Sequence, residues 1–150
     1  KLHLSLFETD FDENTPSLMK GFIDKYEEEG DIARIAPFII FKARYEIGCN
    51  SATETCIELA KEAMNHPWKS NHADSIVDIL LINKNNIKLA EEFIDSLPRN
   101  KSEITILKLK SDIASLNSDF KKAIELLDEA YDKGYGFSNY ILGKAYTLIP

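Results

Sequence analysis

Cys56-Ile57-Glu58-Leu59-Ala60-Lys61-Glu62-Ala63-Met64 and, 67 residues on, Ala123-Ile124-Glu125-Leu126-Leu127-Asp128-Glu129-Ala130-Tyr131 carry Ile, Glu, Leu, Glu and Ala in the same places. A third copy is expected half-way between them. There Ala90-Glu91-Glu92-Phe93-Ile94-Asp95-Ser96-Leu97-Pro98 again sets a small residue ahead of a bulky apolar pair, so the steps are 34 and 33 residues. A further step back from Cys56 lands on Phe22, a larger residue at the small position. A fixed period of this length marks a chain of repeated supersecondary units, each unable to bury its apolar face alone.

Outward from these stretches, apolar residues recur at three and four, and only six Gly and five Pro interrupt 150 residues. That pattern predicts a nearly all-helical chain. Thr15-Pro16 supplies an N-cap and a first-turn proline for a helix over 16–29, stopped by Gly30. A second helix covers 32–47, with Pro37 either bending it or marking its true start and Gly48 ending it. Further helices are expected over 51–65 (closed by Pro67), 70–82, 87–97, 101–116, 119–133 and 137–148. Asn83-Lys84-Asn85-Asn86 forms a turn, and Gly134 and Gly136 break the chain before the last helix. The one β-like stretch is Leu2-His3-Leu4-Ser5-Leu6-Phe7. Connections this short require antiparallel neighbours.

A period near 34 built from helix, turn and helix resembles the tetratricopeptide repeat family. In that family's second helices a small residue is followed by a bulky one and then another small one. Ala123, Leu127 and Ala130 match throughout; Cys56, Ala60 and Ala63 keep the small ends; Ala90 and Ile94 match until Leu97. Leu142-Gly143-Lys144-Ala145-Tyr146 is similar to a fragment of the first-helix pattern, and Ser111 and Ala114 are the comparable small positions in the preceding hairpin. Lys133-Gly134-Tyr135 ahead of Tyr140-Ile141-Leu142-Gly143 also resembles the Sel1-like subclass. The resemblance implies an all-α, right-handed solenoid of antiparallel hairpins with about eight helices, over residues 17–150. Residues 1–16 read as an N-terminal extension or the end of a preceding element. The start at Lys1 and the apolar end read as a piece of a longer protein.

Composition narrows the classes. The chain is 44% hydrophobic and 29% charged, as suits one folded domain with a single core. Its formal charge of −7 repels a phosphate backbone, so nucleic acid is not an expected partner. Nine acids against three lysines make residues 1–31 the acidic end, read as solvated surface. No run approaches about 18 apolar residues, and no signal peptide is visible, so membrane insertion is not expected and the location is read as cytoplasmic. Cys49 and Cys56 lack zinc or redox spacing. Cys56 falls on a buried small position, and Cys49 reads as an exposed loop thiol. His66 and His72 flank Pro67-Trp68 without a second ligand type on their face, and Trp68 is expected to cover a hairpin end. No nucleophile elbow, phosphate loop or zinc motif is present, so no catalytic, metal or cofactor residue is assigned.

In the resembled family the first helices line a groove that holds a peptide. Projecting the period places Phe38, Phe41 and Tyr45, then His72, Ser75 and Ile79, then Thr105, Lys108 and Asp112 on such a groove. Lys108 is its single base, which disfavours an acidic C-terminal tail as ligand. Tyr140, Ile141, Tyr146, Leu148 and Ile149 have no following helix to cover them and are read as a contact to further repeats or to a second copy. The function expected is a non-catalytic protein-interaction scaffold or adaptor. The alternatives are a docking appendage of a larger enzyme whose catalytic domain lies elsewhere, and a helical-bundle ligand-binding protein.

Overall fold

Two prolines set where the first two helices begin. The computed structural model describes residues 14–28, 30, 34–98 and 103–148, with backbone alone at 138, 142 and 145–148. Helix α1 (Thr15–Glu27) carries Pro16 in its first turn, where the missing N–H has no intrahelical partner to lose. Asn14, one residue before the expected cap, occupies the N-cap position. Helix α2 (Ala36–Asn50) likewise has its proline, Pro37, in the first turn. Pro37 therefore marks a beginning rather than a bend. The α2 helix runs through Gly48 and ends where Ser51 turns left-handed (φ 53°). Packing on the next helix outweighs the roughly 1 kcal/mol a mid-helix glycine costs.

Six more helices follow: α3 (Thr53–Ala63), α4 (Ala73–Leu80), α5 (Ile87–Asp95), α6 (Glu103–Leu116), α7 (Phe120–Asp132) and α8 (Phe137–Leu148). Among the described residues there is no strand; Leu2 to Phe7 lie outside them. Short 3-10 turns precede α4 (Lys69–His72) and α5 (Lys84–Asn86). The second is held by Asn83, whose side chain accepts from the Asn85 N–H at 3.0 Å. Asp119 caps α7 in the same way through the Lys122 N–H at 3.2 Å. Gly134 (φ 101°) closes α7, with the Tyr135 N–H returning to the Ala130 carbonyl. Only glycine enters that left-handed region without strain.

The chain divides into two compact units, Lys1–Lys69 and Ser70–Pro150, rather than sharing the single core expected from its length. In the first, α2 packs extensively on α3 and more lightly on α1. Phe38, Ile39 and Ile40 are all buried, so successive residues of α2 are covered on more than one side. His66 at the end of this unit donates from Nδ1 to the Arg34 carbonyl (2.7 Å), and the Ala36 N–H donates to the Pro67 carbonyl (3.0 Å). These bonds tie the 66–67 segment to the start of α2.

In the second unit α6 and α7 form the most extensive pair, flanked by α5 and α8, and α4 touches both α5 and α6. Buried Ser111 donates its hydroxyl to the Ala123 carbonyl at 2.9 Å where α6 and α7 approach. At the α7–α8 crossing, a Cβ added to Gly143 would stand 3.1 Å from both methyls of Leu127. The small and bulky positions of the repeat are buried in every copy. Cys56, Ala60, Ala63, Ala90, Ala123 and Ala130 have 0% exposure, and Ile94, Leu97 and Leu127 at most 4%.

Candidate interaction surface

Lys108 and Asp112 lie one turn apart on α6, 2.8 Å from Nζ to Oδ2. Burial alone would lower the Lys108 ammonium, but the hydrogen bond and charge of Asp112, with Asp78 and Asp74 of α4 beyond it, hold it above its ordinary range. Burial raises Asp112 against the opposing pull of Lys108, and the like charge of Asp74 adds to the rise. Tyr135, in the α7–α8 connection, is raised first by burial; Asp112 and Asp74 push the same way and Lys108 the other. Three carboxylates from two helices thus share one ammonium and leave negative charge to spare. The Asp112 side chain keeps 41% of its exposure, so an incoming cationic group can reach it.

The structure sorts the expected groove residues. In the second unit His72, Ser75, Thr105, Lys108 and Asp112 are half-buried on α6, on α4 or in the turn before it, and Ile79 is in the core at 8%. In the first unit Phe38 is also core, at 5%. Phe41 and Tyr45 are half-buried, but Phe22 of α1 sits over this face, its ring 5.0 Å from Phe41 and 6.2 Å from Phe38. Phe38 and Ile79 therefore cannot serve as accessible contacts, because α2 and α4 turn those positions inward. Asp74, Asp78 and Tyr135 were missed by the sequence reading. The spacing of Asp74 and Asp78 by four was the available signal, since it puts both on one helical face.

The terminal helix differs from its expected role. Tyr140 donates to Asp128 Oδ1 at 2.6 Å, and Lys144 donates to the same oxygen at 3.1 Å and to the Tyr140 hydroxyl at 2.9 Å. The Tyr140 ring stacks on Tyr131 with centroids 4.6 Å apart. Tyr140 is thus engaged within its own hairpin, while Ile141 keeps 46% exposure beside Phe137 at 63%. The side chains of Tyr146 and Leu148, and all of Ile149, lie outside the described residues.

The hydrogen bonds from Tyr140 and Lys144 hold Asp128 below its ordinary value of 3.8. A depressed carboxylate stabilises the fold above its unfolded value and loses that contribution as pH falls through the folded one. Amide exchange in α8 is therefore expected to quicken below pH 3.8. In Asp128→Asn, α8 exchange should already be faster at neutral pH and its acid dependence flatter; an unchanged acid limb would rule out this network as the latch.

Elsewhere, sequence expectations are corrected in detail. Cys49 is half-buried within α2 rather than exposed in a loop. Burial pushes both thiols up, so they stay protonated and unreactive at neutral pH. Trp68 does not cover a hairpin end: its backbone turns left-handed (φ 70°) and the indole is 63% exposed. An open cleft of about 250 Å³ between α5, α6 and the start of α7 is lined by Glu91, Asp95, Lys110, Asp119 and Lys122 over Ile113 and Ala114. Lys110 pairs across it with Asp95 at 2.7 Å. Among the described residues no three His, Cys, Asp or Glu side chains converge as metal ligands, and no helix is long and apolar enough to cross a membrane. No protein-family model matches the chain, and neither a curated protein nor a solved structure is significantly similar to it.

Proposed function

We propose that the chain is a non-catalytic, cytoplasmic interaction scaffold of tetratricopeptide-like hairpins, whose α4–α6 surface holds a segment of a partner protein. The observation that supports this reading is the burial of the small and bulky positions at steps of 34 and 33 residues, in α3, α5 and α7 alike. A repeated second helix buried at one register leaves the intervening first helices, α4 and α6, to present a face. The charge on that face selects the partner. Asp74, Asp78 and Asp112 outnumber Lys108, so the segment held carries Lys or Arg next to an apolar residue.

Selection of displayed random peptides against the immobilised chain tests this. Retained peptides are expected to be enriched in basic residues, to protect α4 and α6 amides from exchange, and to bind at least fivefold more weakly to Asp74→Asn/Asp78→Asn. Retention indifferent to that double substitution, or protection confined to other helices, would overturn the assignment.

A further inference from the structure

Helix α1 is seated lightly for an element that covers so aromatic a face. Of its 13 residues only Met19 and Ile23 are buried, Leu18 is 55% exposed, and neither end is fastened by a side-chain cap. A helix of this length is marginal alone, the threshold in water being about 12–15 residues, so its helicity is borrowed from α2. What it covers is specific. Phe22 lies 4.5 Å from Tyr26 and reaches over Phe41 and Phe38, while Glu27 pairs with Lys42. The contact is therefore an aromatic pair at i and i+4 followed by an acid at i+5, which is the ridge that one helix face offers to another.

We infer that the α2 face beneath Phe22 is a docking site for an amphipathic helix of a partner protein, and that α1 is its built-in competitor. The incoming helix presents two aromatic residues four apart, with a carboxylate to meet Lys42. When α1 lifts, α2 keeps its packing on α3, so the site opens without unfolding its floor. A tethered α1 competes at an effective concentration in the millimolar range, which holds the site closed to weak ligands. This surface is separate from the α4–α6 face, and either assignment can fail without the other.

The test uses the full chain and a fluorescein-labelled peptide of residues 14–28, followed by anisotropy. The peptide is expected to bind Phe22→Ala and Glu27→Lys chains at least tenfold more tightly than the parent chain, because each variant loosens its own α1. A peptide carrying Phe22→Ala should not bind any of them. Glu27→Lys alters a partly exposed side chain and reverses only the ion pair with Lys42, so it decides the matter if circular dichroism shows Phe22→Ala to have lost structure. Equal affinity for all chains, no binding to any, or dimers that exchange α1 between copies would each overturn the proposal.

Discussion

Leu127→Ala is expected to lower the free energy of unfolding by about 3 kcal/mol, the usual scale for truncating a fully buried leucine. Leu127 is 2% exposed on α7, and both its methyls face Gly143 across the closest approach of α8. Gly143 has no side chain to move into the space, so a cavity stays between the helices and the dispersion contacts are lost outright. Leu127→Met keeps the volume and should cost under about 1.5 kcal/mol. Chemical denaturation of the two variants measures both. A loss below about 1 kcal/mol for the alanine variant would mean that the hairpin collapses around the gap and that the α7–α8 approach is not rigidly held.

Ala60→Leu should be nearly as damaging for the opposite reason. Ala60 has no exposure on α3, and Cys56 and Ala63 on the same face have none either, so the face that meets α2 consists of small residues. A leucine there forces the helices apart or its own side chain off-rotamer, at a cost of about 3 kcal/mol. Amide exchange should quicken in α2 and α3, the pair whose packing it disturbs. Glu58→Leu, on the exposed side of the same helix, serves as control and should change stability by less than about 0.5 kcal/mol. Equal effects from the two leucines would show that α3 is not held at the register the repeat implies.

Most helix locations could be read from the chain because their signals are local. Pro16 and Pro37 stand in first turns, Asp119 caps α7, and Gly134 takes a positive φ; each acts within a few residues of itself. The boundaries that moved did so where a distant partner intervened. The α2 helix overran Gly48 because its apolar sides are covered by α1 and α3, which outweighs a local breaker. The expected 70–82 helix shortened to Ala73–Leu80, with its first residues taken into a 3-10 turn.

The candidate surface was legible only in part. Lys108 and Asp112 are one turn apart, so the period and the helical repeat together bring them into view. Asp74 and Tyr135 join them from residues far off in sequence, and charge alone does not announce such a meeting. Phe38 and Ile79 were placed correctly on their helices and wrongly on the open side, because α2 and α4 are apolar over more than one face and periodicity cannot choose among apolar faces.

The sequence by itself determined the helical character, the positions of most turns and the three-fold recurrence of small residues, since propensity, capping and the 3.6-residue period act between neighbours. Tertiary structure alone decided that Phe22 covers Phe41, that Tyr140 and Lys144 close on Asp128, and that acids of α4 stand near Lys108. Those outcomes depend on which helix faces meet, and that choice is made by the fit of whole surfaces rather than by any residue's own preference.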